Sequence, residues 1–437
     1  MMRTLYHSIK HLFTKVTAPS QKGRGWGMVC PIIILFFTLN SSLLTFTSCS
    51  SETEEPEVKS TPVQIMSYME DYTPYESHET HEAHPSLTRT ESWMPYGFQS
   101  DDSHNAIGAF FTSALSTSEA HRFWYNRNDS KWFIDGKEIN PGAFYLYGYM
   151  PYNAANVTIA PNTVEETTSY EKGAILTFTN MDCVATKDIC VLTGAKEGTL
   201  TGVTDLHIGQ FGVNMKSGGA GQENYLYLLF EHIYARLDFA FRVANEGENK
   251  YASLRTIKLK HLELKAYSYT SDTHSDTILM NKTGSLEVHL KANTDNKSPI
   301  DNDIRFTPDP GAEKMDPVVL FDSEVDGGEV TLPSEADTYT TKIGYVPYFN
   351  FANSNTKVLY KLHSIYDVYD KNVTSEHPDG NLIRRNCTAD NVIVPKNLFG
   401  LTQLECGKKY TLKLTVAPTY LYVLSEPDLD NPSVTLD

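Results

Sequence analysis

The chain has 437 residues and a formal net charge of −17 at pH 7, and 40% of its residues are hydrophobic. This length and composition suit a globular protein with about two domains. The acidic balance excludes nucleic acid as a partner, because binding to phosphates requires a basic surface.

The first 48 residues have the pattern of a secretory signal. They contain five basic residues and no acidic residue, and they include an apolar run at residues 28–39. A basic segment ahead of a short apolar core is typical of exported proteins. The run is too short and too interrupted for a spanning helix, which needs about 20 apolar residues. An uncleaved membrane segment is the alternative reading.

Cys49 ends this leader. It follows Phe46, Thr47 and Ser48, and an acidic stretch at residues 50–57 comes directly after it. This order is similar to a bacterial lipoprotein signal, although that pattern prefers Leu where Phe46 stands. We therefore predict a signal peptide at residues 1–48, lipidation at Cys49 and a surface-exposed location at the cell outer membrane. The remaining 389 residues keep 32 of the 37 basic residues and all 54 acidic ones, a formal charge of about −22.

Residues 49–86 are polar and show little apolar periodicity, which predicts an acidic tether. The tether contains a histidine-rich stretch whose spacing is not that of a zinc protease. A solvated tether is the favoured reading of that stretch, and we predict no metal site. The stretch consists of His78, Glu79, His81, Glu82 and His84.

From about residue 87 the pattern changes to the alternation typical of strands. Residues 235–243 alternate apolar with polar side chains, whereas Phe230 and His232 fall out of that register, which predicts a bulge near Ile233. A similar slip is predicted near His261. Further strands are predicted at 144–152, 174–178, 189–192, 257–265, 318–321, 343–347, 358–362, 392–394 and 410–416.

Short strands separated by Gly, Pro, Asn and Asp, with no long helical pattern after the leader, predict an all-β fold of two tandem β-sandwiches. The N-terminal sandwich is assigned to residues 87–247 and the C-terminal one to residues 248–437. The polar cluster at residues 245–249 is the candidate boundary.

Four cysteines lie beyond the signal: Cys183, Cys190, Cys387 and Cys406. In an exported protein they can form two disulfides, of which Cys183–Cys190 and Cys387–Cys406 are the local choice among three connectivities. The alternative is that they are buried thiols. Cys190 favours that alternative because it lies in an apolar strand-like run.

Catalytic motifs are absent from the sequence. We find no nucleophile elbow, phosphate loop, dinucleotide fingerprint or zinc-protease spacing, and the glycine-rich residues 218–221 lack the Gly-Lys-Ser/Thr ending of a phosphate loop. We therefore predict a protein without catalytic residues, cofactor or metal. Aromatic residues offer either a sugar-stacking platform or ordinary packing. They are Trp93, Trp124, Tyr125 and Trp132.

Four segments in this order, together with the leader, resemble the fimbrillin-like (Mfa-like, FimA superfamily) surface lipoproteins of the Bacteroides group. The resemblance spans nearly all of the chain after the leader. It implies two transthyretin-like sandwiches and a role as a subunit of adhesive surface fimbriae. The segments are residues 144–152, 188–192, 230–239 and 407–412.

The resemblance also implies an assembly mechanism. In such proteins a protease cuts after an arginine and removes the first strand, and a C-terminal strand of the next subunit fills the groove. Arg89 stands where the tether meets the first sandwich, and residues 418–437 offer a donor strand carrying Tyr420, Tyr422 and Leu424. The alternatives are an ordinary edge-strand arginine and a tail that folds back onto its own domain.

Three functions compete at this point. The first is a fimbrial subunit, structural or tip, whose partners are other fimbrial subunits, the outer membrane through the N-terminal lipid, and a host or bacterial surface receptor or glycan. The alternative is a non-polymerising surface glycan-binding lipoprotein, which would lose affinity if Trp124 or Trp132 became Ala. The third is a surface hydrolase, which needs paired carboxylates in a cleft.

Overall fold

The protein is almost entirely β-structure in a computed structural model. The all-β prediction is therefore confirmed, and the part of the chain that the structure describes contains only two helices, of four and five residues. None of the helices in these segments is long and apolar enough to cross a membrane. The described residues are 61–69, 71–75, 106–126, 131–135, 140–153, 156–217, 223–244, 251–295, 304–314, 316–372, 374–375 and 380–417.

The elements follow one another in chain order. The first half contains β1 (Thr61–Met69), β2 (Thr73–Pro74), β3 (Ile107–Thr112), β4 (Thr117–Asn126), β5 (Lys131–Asp135), β6 (Gly142–Met150), β7 (Asn156–Val164), β8 (Thr167–Asp182), β9 (Cys190–Glu197), β10 (Gly212–Met215), β11 (Asn224–His232) and β12 (Ala235–Val243). The second half contains α1 (Tyr251–Leu254), β13 (Arg255–Tyr269), β14 (Ile278–Leu279), β15 (Thr283–Lys291), β16 (Ile304–Pro308), β17 (Val318–Asp322), β18 (Val330–Thr331), β19 (Thr340–Val346), β20 (Lys357–Asp370), β21 (Leu382–Ile393), α2 (Pro395–Phe399) and β22 (Lys408–Val416).

The first sheet closes on itself. Its strands run β6-β3-β4-β5-β1-β11-β9, and β9 pairs back with the end of β6. The short strand β10 pairs with the beginning of β6 along the same edge. All of these strands lie before residue 233. Their buried apolar side chains form a separate cluster that includes Val63, Ile65, Phe111, Phe123, Leu146, Leu226 and Leu228.

Three further sheets surround the larger hydrophobic cluster. One has the order β19-β12-β22-β2, another β14-β13-β20-β21 with β17 and β18 also paired to β13, and the last β16-β15-β8-β7. Phe178, Phe239, Leu262 and Tyr360 are among the buried side chains of this cluster. The predicted strand at residues 235–243 is confirmed as β12. The register shift predicted near His261 is confirmed on β13.

The bulge predicted near Ile233 was wrong. β11 ends at His232 in the closed sheet, and β12 begins at Ala235 in a different sheet. Ile233 and Tyr234, both buried, carry the chain from one sheet to the other. The change of register therefore marks a change of sheet rather than an extra residue in one strand.

The tether predicted for residues 49–86 was wrong at two places, because residues 61–69 and 73–74 are strands of the folded protein. Val63 and Ile65 are 2% and 3% exposed and alternate with half-buried Gln64 and Met66. This short apolar pattern is surrounded by polar sequence and is stabilised by its place in the sheet rather than by strand propensity.

Strands that come before the predicted boundary at residues 247–248 pair with strands that come after it. β8 pairs with β15, and β12 pairs with β19 and β22. The division into sandwiches at residues 87–247 and 248–437 stays a prediction. The closed sheet alone is built entirely from the first half of the chain.

Candidate functional site

β1 is an interior strand of the closed sheet. On one side it pairs antiparallel with β5 from Thr61↔Ile134 to Val63↔Trp132. On the other side it pairs parallel with β11 from Val63↔Asn224 to Met69↔Phe230. A parallel neighbour cannot come from a hairpin, so the first described strand is joined to a strand far along the chain. β1 therefore fills a slot between β5 and β11.

The side chains of β1 alternate between the interior and the surface. Val63, Ile65 and Ser67 are 3% exposed or less, and Tyr68 is 36% exposed. The buried hydroxyl of Ser67 has no hydrogen-bond partner among the described residues. A buried polar atom without a partner costs about 1–3 kcal/mol. β1 is therefore an imperfect match for its slot at this position.

After β1 the chain passes to the second sheet, where β2 pairs parallel with β22. The backbone N–H of Thr73 donates to Gly407 O at 3.2 Å, and the N–H of Tyr75 donates to Lys409 O at 3.0 Å. The Tyr75 ring stacks on Tyr410 with 5.0 Å between the ring centroids. We call residues 61–75 the N-terminal segment. This segment pairs with both sheets, close to the point where the chain passes from β11 in the first sheet to β12 in the second.

Tyr72 lies between the two strands of this segment. Its hydroxyl donates to Asp188 Oδ1 at 2.7 Å, and its ring stacks on His232 at 3.8 Å between centroids. Burial, together with the charge of Asp188, raises the pKa of Tyr72 well above its ordinary value. The hydroxyl therefore keeps its proton and acts as a donor at physiological pH.

Beneath Tyr72 lie three side chains of ligand type. His232 Nδ1 is 2.5 Å from Asp188 Oδ2 and 3.3 Å from Cys190 Sγ. Cys190 Sγ is also 3.1 Å from Met69 Sδ, so two residues of the N-terminal segment, Met69 and Tyr72, contact this group. The N-terminal segment covers the group, with Tyr72 only 7% exposed.

The sequence pointed to other residues. Cys49, Arg89, Tyr420, Tyr422 and Leu424 lie outside the described residues, as do Trp93, the histidine-rich stretch, residues 245–249 and residues 218–221. Lipidation, cleavage and strand donation therefore stay predictions.

Two of the predicted aromatic residues lie on neighbouring strands. Trp124 is a half-buried residue of β4, and Trp132 of β5 pairs in register with Tyr125. A stacking role for these residues stays a prediction.

Of the two alternatives for the cysteines, disulfides and free thiols, the structure shows free thiols. Cys183, Cys190, Cys387 and Cys406 are present as thiols rather than disulfides. Burial raises the pKa of Cys183 to about 12 and that of Cys406 to about 12. Burial and the neighbouring Asp188 also raise the pKa of Cys190. Cys183, Cys190 and Cys406 are therefore neutral thiols at physiological pH.

Sequence reasoning missed Ser67, Tyr72 and the Asp188–Cys190–His232 group. One signal was present: Asp188 comes two residues before Cys190, the first residue of β9, so the two lie close together. His232 comes 42 positions later. Only the pairing of β9 with β11, in which Cys190 is opposite His232, brings the three together.

The chain is similar in structure to several solved proteins. One is a candidate cell adhesion protein from Bacteroides uniformis, with 9% identity, coverage of 84% of this chain and 95% of that one, and a TM-score of 0.32. Another, from Bacteroides fragilis, has 13% identity, coverage of 81% and 93%, and a TM-score of 0.33. The fimbrial anchor protein Mfa2 from Porphyromonas gingivalis has 11% identity, coverage of 81% and 90%, and a TM-score of 0.24.

The sequence matches no protein-family model and no curated protein. The structural neighbours are named as cell adhesion proteins and a fimbrial anchor protein, and the likeness to them is weak. At these identities and TM-scores it assigns no function to this chain.

Proposed function

We propose that this chain is a fimbrial subunit, structural or at the tip, which is exported as a lipoprotein through Cys49 and assembled by strand donation to mediate adhesion at the cell surface. The observation that supports the proposal most is the position of β1. It is paired on both edges and lies upstream of Arg89. One cut after Arg89 separates that strand covalently from the rest of the fold.

Removal of β1 leaves a slot that requires another strand. Along β11 it frees the backbone groups that now serve seven residue pairs, and along β5 those of three pairs. It also uncovers the apolar cluster that Val63 and Ile65 now fill. Two unpaired edges beside an apolar groove are the arrangement that strand addition satisfies.

The C-terminal tail has the spacing that the slot accepts. Val63, Ile65 and Ser67 face inward at alternate positions, and Tyr420, Tyr422 and Leu424 have the same spacing. In the register that places Tyr420, Tyr422 and Leu424 at the positions of Val63, Ile65 and Ser67, Leu424 takes the place of the Ser67 hydroxyl. Exchange then removes the desolvation cost that Ser67 imposes.

Arg89 is the only arginine between Cys49 and β3. A protease that cuts after arginine therefore has one site at which it removes the whole N-terminal segment and leaves β3 onward intact. When the cut segment leaves, the contacts of Tyr72 and Tyr75 with the two sheets are lost as well. The new N-terminus would be Thr90.

The test is N-terminal sequencing of assembled material shed from the cell surface. We expect Thr90 in the native protein, whereas Arg89→Lys keeps lipidated Cys49 and does not enter polymers. The matched control is Arg127→Lys, which alters an arginine between β4 and β5 and should leave Thr90 as the N-terminus.

Two results would contradict the proposal to different extents. Lipidated Cys49 in all assembled native material excludes a stalk subunit and leaves a tip or anchor subunit. A surface protein that neither polymerises nor co-assembles with other subunits excludes the fimbrial function altogether.

A further inference from the structure

Asp188, Cys190 and His232 direct their ligand atoms at one point, where the first strand covers the junction of β9 and β11. The carboxylate oxygen, the thiol sulfur and the ring nitrogen all lie within 4.8 Å of one another. Cys190 and His232 are directly opposite in the β9–β11 pairing, and Asp188 precedes Cys190 by two residues. Cys190 and His232 thus come from paired strands, and Asp188 comes from the segment that leads into β9.

We propose that Asp188 Oδ2, Cys190 Sγ and His232 Nδ1 bind a divalent transition-metal ion of the Zn²⁺ class, beside Met69 Sδ, which is 3.1 Å from Cys190 Sγ. Carboxylate, thiolate and imidazole are the ligand types that Zn²⁺ takes, at bond lengths of about 2.0–2.3 Å. Those bond lengths hold tetrahedral ligand atoms about 3.3–3.6 Å apart.

The observed distances are close to that geometry. Cys190 Sγ is 3.3 Å from His232 Nδ1 and 3.8 Å from Asp188 Oδ2. Only the contact of 2.5 Å between His232 and Asp188 must open, because a shared hydrogen there gives way to the ion. The separation has to grow by under about 1 Å, which a side-chain rotation can supply.

The arrangement fits a ligand set better than a catalytic triad. In a Cys–His–Asp triad the nucleophile and the carboxylate contact different nitrogens of the ring. Here both contact Nδ1. That atom has either one hydrogen or one lone pair, so it cannot satisfy both groups well. A cation between the three satisfies all of them.

Tyr72 supplies the outer contacts that metal ligands usually have. It donates to Asp188 Oδ1, the oxygen that does not face Cys190, and so leaves Oδ2 for the ion. Its ring stacks on His232 and fixes the plane of the imidazole. The Asp188 side chain is 23% exposed and that of His232 is 8% exposed, so the ion enters from the Asp188 side.

Binding of the ion displaces protons from its ligands and changes no oxidation state. The ion forms bonds to sulfur, nitrogen and oxygen. The Cys190 S–H bond breaks and its proton passes to solvent, and a hydrogen on His232 Nδ1 moves to Nε2 or to solvent. The titratable groups facing Cys190 are Asp188, His232, Tyr72 and Tyr345.

The thiol is neutral in the metal-free protein, since burial raises the pKa of Cys190. Each ion bound at neutral pH therefore displaces the thiol proton.

The experiment is a titration of the whole exported chain with Co²⁺ and Zn²⁺. We expect one ion per chain, a thiolate-to-cobalt charge-transfer band, and a rise in Tm with Zn²⁺. Cys190→Ser should abolish the band and weaken Zn²⁺ binding at least tenfold. Cys183→Ser is the matched control, because Cys183 is an equally buried thiol outside the group.

A native protein that shows no charge-transfer band overturns the proposal. So does a band that survives Cys190→Ser, or one that Cys183→Ser removes. The Tm of each variant without metal shows that it is folded, so loss of binding is separable from loss of structure. None of these readouts depends on cleavage at Arg89 or on polymer formation.

Discussion

Ser67 is the weak residue of β1, and its substitution gives the most local prediction. Its hydroxyl is buried without a partner among the described residues, so Ser67→Ala removes an unsatisfied polar atom at little cost in packing. We expect the free energy of unfolding to rise by about 1 kcal/mol. Urea denaturation of the purified chain measures the change.

The matched control is Ser364→Ala. Ser364 is 4% exposed, but its hydroxyl donates to Ala389 O at 3.3 Å. Loss of that bond should lower the free energy of unfolding by about 1 kcal/mol. If Ser67→Ala destabilises the protein as much as Ser364→Ala does, the Ser67 hydroxyl has a partner and β1 fits its slot better than we infer.

At the residue scale the sequence predicted little of the site. Asp188 comes two residues before Cys190, the first residue of β9, and that proximity is readable from their spacing. The match of Cys190 with His232 depends on the register between two strands, which single-sequence patterns do not contain. Tyr72 was assigned to a tether, because nothing in the local sequence indicates what its ring will stack on.

The element that decides the proposed function is β1, and its interior and surface residues should respond differently to substitution. Ile65→Ala empties part of the apolar cluster, and truncation of a buried Ile costs about 2–5 kcal/mol. We expect faster hydrogen exchange at the β11 amides, because β1 opens more often. Exchange in β13, β20 and β21 should remain as in the native protein.

Gln64→Ala is the control on the same strand. Gln64 is half-buried and adjacent to Ile65, and its substitution should leave β11 exchange nearly unchanged. Faster exchange throughout the molecule in Ile65→Ala would show that β1 unfolds only together with the rest of the fold. A strand of that kind is a poor candidate for removal.

Strands of the later part of the chain were predictable because their alternation is long. β12, β13 and β22 show it over nine residues or more. β1 has two clearly buried apolar positions, Val63 and Ile65, followed by a buried serine. The change of sheet at Ile233 resembled a bulge in the sequence, because either event moves the buried positions of the strand from even-numbered to odd-numbered residues.

At the scale of the whole molecule, exchange of β1 for a donated strand can be tested directly. Protein cut after Arg89 should retain the N-terminal segment until a peptide of residues 418–437 is added. We expect the peptide to release the segment and to be protected in its place, because Leu424 then replaces the unpaired Ser67 hydroxyl. Mass spectrometry of the separated complex measures both events.

A peptide with Tyr420, Tyr422 and Leu424 replaced by Ser is the control, and it should release nothing. Equal release by both peptides would show that the segment leaves by itself. Release by neither, with the segment firmly held, would exclude this tail as the donor. Head-to-tail exchange between identical chains gives an open polymer, since each chain carries one slot and one tail.

The all-β class could be predicted from alternation alone, but the closure of the first sheet could not. Closure depends on β1 pairing parallel with β11 and on β9 pairing back with β6. Such contacts join distant parts of the chain, and local periodicity carries no information about them. The pairing of β8 with β15 is of the same kind.

The length of the β1–β11 ladder also sets how this molecule would bear mechanical load. Seven consecutive residue pairs lie side by side along the strand axis. A pull along that axis strains all of these pairs together in shear, whereas a pull across it breaks them one after another. A strand held in this slot, whether β1 or one supplied by a neighbour, therefore resists tension along a fibre far better than peeling from its end.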